Sequence, residues 1–163
     1  ANNSASASAG NKNSSVEINI GYLKNTGMLR YTGYERLSGS INAVTRSFND
    51  KVTFGLNLRV ANSDETLTAR DLGGASTSFL AVTLAPTIPV YQKDGSTYAG
   101  ALGGGYSDRN NPLHMQDVAK WNNANRLSIF GNVFVEIQPV KNLFFKSNLG
   151  AAPTTTSLVV WFL

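Results

Sequence analysis

The stretch from Val52 to Val60 reads VTFGLNLRV, and its alternation sets the fold class. Val52, Phe54, Leu56, Leu58 and Val60 are apolar; Thr53, Gly55, Asn57 and Arg59 stand between them. Successive side chains of a strand point to opposite faces, so this segment has one apolar and one polar face. A helix would need a period near 3.6, which is absent. The same alternation runs through Val16 to Leu23, Arg36 to Thr45 and Arg126 to Ile137. Ser4 to Ala9 alternates more thinly, and Leu143 to Leu149 opens another strand. The expectation is an all-β, antiparallel chain of about six strands. A sandwich, a soluble barrel and a transmembrane barrel all satisfy that pattern.

The connections separate these architectures. Gly10 to Ser15, Ser47 to Lys51 and Pro139 to Asn142 are short, whereas Lys24 to Glu35 and Ala61 to Asn125 are long. In an up-and-down meander this alternation gathers the short turns at one end and the long loops at the other. Outer-membrane barrels keep that asymmetry, and a sandwich has no physical reason to. The long connection 61–125 has internal punctuation. Ser78 to Leu84 reads as a turn or two of helix or a short buried strand, stopped by Pro86 and Pro89. Val90 to Ala99 reads as a hairpin about Asp94-Gly95. Gly103 to Pro112 is a turn region, and His114 to Trp121 a short helix.

Composition removes several function classes. Only 15% of the 163 residues are charged, and the net charge of +4 comes from scattered Lys and Arg. With no basic run, nucleic acid is not an expected partner. The chain has no cysteine, which excludes disulfides and thiolate metal sites. No apolar run approaches the ~18–20 residues of a membrane-spanning helix, but a barrel strand needs only ~9–11. Ala1 to Gly10 has neither the basic start nor the apolar stretch of a signal peptide, so a mature or internal chain is expected.

Catalytic chemistry finds little purchase. The single histidine, His114, has no nucleophile or carboxylate at a recognisable spacing. Gly103-Gly104-Gly105 lacks the Gly-Lys-Ser/Thr of a phosphate loop. Asp64, Glu65, Asp71, Asp94 and Asp108 show no EF-hand spacing. The expectation is a non-enzyme without cofactor or metal. Loop aromatics carry more information: Tyr31, Tyr34, Tyr91, Tyr98, Tyr106 and Trp121 suit stacking on sugars or peptide side chains. They equally suit stapling the loops together or an interfacial belt. The substrate-binding candidates are Tyr31, Tyr34, Tyr106, Asp108, Arg109 and Trp121. Glu17, Arg59, Glu136 and Lys146 share the polar strand face, where Phe130, Phe134 and Phe144 are unexpected apolar company.

Five blocks in order give a resemblance: SASAGNKNSSVEINIGYLKNTGML (Ser6 to Leu29), YERLSGSINAVTRSFNDKVTFGLNL (Tyr34 to Leu58), APTIPVYQKDGSTYAG (Ala85 to Gly100), SDRNNP (Ser107 to Pro112) and RLSIFGNVFVEIQPVKNLFFKSNLG (Arg126 to Gly150). Together they resemble the barrel region of SusC/RagA-type TonB-dependent outer-membrane transporters, across about nine-tenths of the chain. That family is similar to a barrel of about 22 strands with a plug in its lumen. The resemblance implies that residues 1–150 are part of such a transmembrane barrel, and that 151–163 form an atypical tail. It implies active uptake of glycans or peptides across the outer membrane. The implied partners are the TonB complex, a SusD-like surface lipoprotein and outer-membrane lipid. The rival expectation is a soluble secreted β-sandwich, serving as a carbohydrate-binding or adhesin module.

Overall fold

The alternating segments join into one antiparallel sheet. The computed structural model describes residues 1–66, 76–101 and 107–160. Its strands are β1 Asn2–Gly10, β2 Ser14–Thr26, β3 Gly33–Ser47, β4 Val52–Thr66, β5 Asn123–Val140, β6 Leu143–Ala151 and β7 Thr154–Val159. They neighbour in chain order from β1 to β6, an up-and-down meander, and β7 also pairs with β5. The fold is therefore all-β, as the alternation predicts. The sheet is open.

Seven strands appear where the sequence suggested about six. The additional one lies in residues 151–163. Pro153 has no N–H to donate, so it interrupts the ladder between β6 and β7. Pairing with β5 then resumes, and the Ile129 N–H donates to the Pro153 carbonyl at 3.0 Å. Strands β2 to β5 also run past their apolar alternation, to 13, 15, 15 and 18 residues.

The short turns are local devices. Asn11 Oδ1 accepts the Asn13 and Ser14 amides at 2.9 and 2.8 Å, closing the β1–β2 turn. Phe48, Asn49 and Asp50 are consecutively left-handed between β3 and β4, and Asn142 is left-handed between β5 and β6.

Register assigns the two faces. Ala5, Ala7 and Ala9 stand opposite Ile20, Ile18 and Val16, while Ser6 and Ser8 stand opposite Asn19 and Glu17. On the far side, Val133 and Ile137 oppose Leu149 and Phe145, and Glu136 opposes Lys146. Asn19 Nδ2 donates to Ser40 Oγ, which carries the polar face into β3. Phe134 lies against Gly55, which places that ring on the same polar face in β4. Nothing covers the apolar face among the described residues: Ile20 is 56% exposed and Leu149 79%.

Two compact units divide the chain. Ala1–Asn25, Glu35–Asp64 and Asn125–Ser157 form the sheet unit. Thr26–Tyr34, Glu65–Ala124 and Leu158–Leu163 form the connecting unit. The latter contains α1 Thr77–Thr83 and α2 Pro112–Ala119, which pack together. The buried apolar residues of the described chain, Leu80, Ala99 and Ala119, all belong to it. Helix α1 settles the Ser78–Leu84 ambiguity in favour of helix, with the Ser76 hydroxyl accepting the Phe79 amide. Helix α2 starts two residues before the expected His114, because Asn111 caps it and Pro112 occupies its first turn. Neither helix is long and apolar enough to cross a membrane.

Candidate functional site

The connecting unit is organised around a hairpin. Ala99 N donates to Val90 O at 3.0 Å and Gln92 N to Thr97 O at 2.7 Å. Asp94 closes the turn, accepting the Ser96 and Thr97 amides at 3.1 and 3.0 Å. Hydrogen bonds from the Thr97 hydroxyl and these amides hold the Asp94 carboxyl down at about 2. The hairpin is clipped to α2 by one buried side chain. Asn111 Nδ2 donates to Val90 O at 3.0 Å and to Ala99 O at 2.9 Å, while its Oδ1 accepts the Leu113 amide at 2.9 Å. Gly100, at φ +148°, passes so close that a Cβ there would meet the Asn111 nitrogen at 2.9 Å.

The aromatics sort into two groups. Tyr91 stacks on Tyr98 with centroids 5.1 Å apart, and Tyr98 on His114 at 4.9 Å. The Tyr98 hydroxyl donates to the Asp117 carboxylate. That bond, helped by the Tyr31 hydroxyl and the charges of Lys120 and Arg30, holds Asp117 below the usual carboxylate range although burial opposes it. The same contact pushes the Tyr98 phenol up, with burial adding to it. Tyr91, Tyr98 and His114 thus staple the unit together.

Tyr31 and Trp121 are 40% and 62% exposed, and Tyr91, though stacked on Tyr98, is 42% exposed as well; cationic neighbours set Tyr31 and Trp121 apart. The Arg30 guanidinium lies over the Tyr31 ring at 4.7 Å. Lys120 Nζ is 5.9 Å from the Tyr31 ring and 5.4 Å from that of Trp121. Tyr31 is held at φ +65°, a conformation that costs a non-glycine residue of order 1 kcal/mol and recurs at ligand clamps. Two exposed rings held by two cations make a patch suited to binding polar ligands by stacking.

The other candidates are dispersed. Tyr34 is the second residue of β3, half-buried, and no contact joins it to the patch among the described residues. Asp108 accepts from Ser107 at 3.4 Å, and the Arg109 guanidinium lies 5.7 Å from the Phe79 ring. Tyr106, like Asp71 and Gly103 to Gly105, lies outside the described residues. Sequence reasoning did not single out Arg30, Lys120, Asp117 or Asn111. The Asn-Pro pair of a capped helix start was a usable signal for Asn111.

No protein-family model matches the sequence, and no curated protein matches it significantly.

Proposed function

We propose that this chain is a stretch of wall from a SusC/RagA-type TonB-dependent outer-membrane transporter, active in glycan or peptide uptake. One observation carries the reading: a single-layer meander exposes a continuous apolar face, backs it with a polar face, and alternates short and long connections. Water penalises an exposed apolar sheet face at ~25 cal/mol per Å², whereas lipid does not. Strands of 13 to 18 residues exceed the ~9–11 that a tilted barrel strand needs. The open edges of β1 and of β6 and β7 suit continuation of the wall by further strands. On this reading the long connections face the outside, and Tyr31 with Trp121 offers a first stacking surface for substrate beneath a SusD-like lipoprotein. The TonB complex supplies the energy from the other side.

Tryptophan scanning in brominated-lipid vesicles tests the wall, with Trp121 and Trp161 replaced by Phe. Leu56→Trp should be quenched by acyl-chain bromine and Asn57→Trp should not. Equal quenching at both positions, or a monodisperse soluble monomer without detergent, removes the reading. The coding sequence on either side of this chain tests the transporter itself, which requires a plug-coding segment upstream.

A further inference from the structure

The polar face of the sheet holds a depression of about 270 Å³, lined by Asn42, Asn57, Leu58, Arg59, Phe130 and Asn132. These residues come from β3, β4 and β5 and all belong to the sheet unit. Three asparagines line it, each side-chain amide offering two donors and an acceptor oxygen. Phe130 presents a half-exposed ring beside them. Arg59 has no carboxylate partner among the described residues: the ion pairs there are Lys24 with Glu35 and Lys146 with Glu136.

We propose that this depression binds an acidic sugar residue, a uronate, through its carboxylate. The Arg59 guanidinium is a planar fork that matches a carboxylate with two parallel bonds. The amides of Asn42, Asn57 and Asn132 suit ring hydroxyls, which need donors and acceptors together. The Phe130 ring suits the apolar edge of a pyranose. The volume lies just under the lower end of ligand pockets, ~300 Å³, so it fits one sugar unit and not an oligomer. The inference rests on the glycan-uptake reading and deepens it by naming a substrate class.

The test is an NMR titration of the full chain in detergent micelles, following the Arg59 Nε–H and the three Asn side-chain amides. The probes are methyl glucuronide, methyl glucoside and acetate. The expected result is saturable binding of the glucuronide, with the neutral glucoside and acetate each at least tenfold weaker. Arg59→Gln should weaken glucuronide binding by roughly ten- to a hundredfold, the usual worth of a charge-assisted pair. Arg59→Lys should recover only part of it, and Lys51→Gln, on a distant turn, should change nothing. Unaltered strand amide shifts in each variant show that the sheet is intact. Acetate binding as well as the glucuronide would reduce the site to an unspecific anion contact and overturn the sugar assignment. Glucuronide binding unaffected by Arg59→Gln would overturn it too. Failure here with correct brominated-lipid quenching leaves the wall reading standing, whereas failed quenching with intact glucuronide binding removes only that reading.

Discussion

Asn111 offers the sharpest test of how the connecting unit holds together. Its side chain is 3% exposed and makes one capping bond and two bonds to hairpin carbonyls. The cap oxygen contributes ~1 kcal/mol to α2. Losing the Ala99 carbonyl's partner costs ~1–3 kcal/mol, the penalty of an unpaired buried acceptor. Val90 O still accepts the Ala99 amide, so its lost bond falls at the low end, ~0.5–1 kcal/mol. Asn111→Ser keeps a capping oxygen and loses both donors, an expected ~2–3 kcal/mol. Asn111→Leu loses everything, ~3–5 kcal/mol. Asn111→Asp is nearly isosteric and an equally good cap, yet it turns a carboxylate oxygen toward two carbonyls, so it should be worse than Ser. Amide exchange at Leu113 and Met115 reads the effect directly, since both protons are bonded to Asn111. Protection should fall about a hundredfold in Asn111→Ser, at 1.4 kcal/mol per decade, and further in Asn111→Asp. An Asp variant protected like the parent would show that the two donor bonds contribute nothing, and the clip would be wrong.

Three more outcomes follow from single contacts. Gly55→Ala drives a Cβ into the Phe134 ring; it should cost ~1–3 kcal/mol in urea unfolding in micelles, and Phe134→Ala should abolish that cost, whereas additive effects would separate the two residues. The Asp94 carboxyl should titrate near 2, below its ordinary 3.8. A depressed value means that the hairpin's support is complete above 3.8 and is lost as pH falls through 2, so carbon-detected NMR should show fraying only there, and none in Asp94→Asn over that range. Tyr98→Phe removes the leading donor to Asp117, so that carboxyl should rise toward the ordinary range; an unchanged titration would mean that the Tyr31 hydroxyl, Lys120 and Arg30 suffice to hold it down.

The strands were legible because their cause is local. A period of two survives in any single strand, so Val52 to Val60 announces itself without knowledge of its neighbours. The polar–apolar bookkeeping of β1 was legible for the same reason, although only Ser and Ala carry it. Strand ends were less so, since Asn62 to Thr66 has no alternation and is strand through its pairing beside β5, where the Ser63 hydroxyl also donates to the Arg126 carbonyl. The strand at Thr154 was hidden because Pro153 broke the pattern and the pairing partner lies in β5. In the connecting unit the hairpin turn at Asp94-Gly95 was readable from its two residues. The patch was not: Tyr31 and Lys120 lie far apart in sequence, and only the tertiary path brings an ammonium to a ring. Tyr91 and Tyr98 looked like Tyr31 in sequence, and only the tertiary contacts separate the stacked pair from the ring beside two cations.

The relief of the apolar face bears on what covers it. A depression of about 610 Å³ is bounded there by Ala9, Val16, Ala43, Thr45, Phe54, Leu56 and Val133. Small alanines on β1 and β3 lie beside Phe54, so the surface is uneven on the scale of a side chain. A second sheet packed on this face would have to fill the hollow with its own matching side chains, because protein interiors tolerate few voids larger than a water molecule. Among the described residues no segment offers such a complement. Acyl chains are fluid and fill an uneven wall without a matching partner, so the hollow costs nothing against a bilayer. Filling it discriminates the two covers. Ala43→Leu should clash in a sandwich, costing ~1–3 kcal/mol as overpacking does. Facing lipid it should be neutral or slightly stabilising, and a clear loss of urea stability in micelles would favour a protein cover.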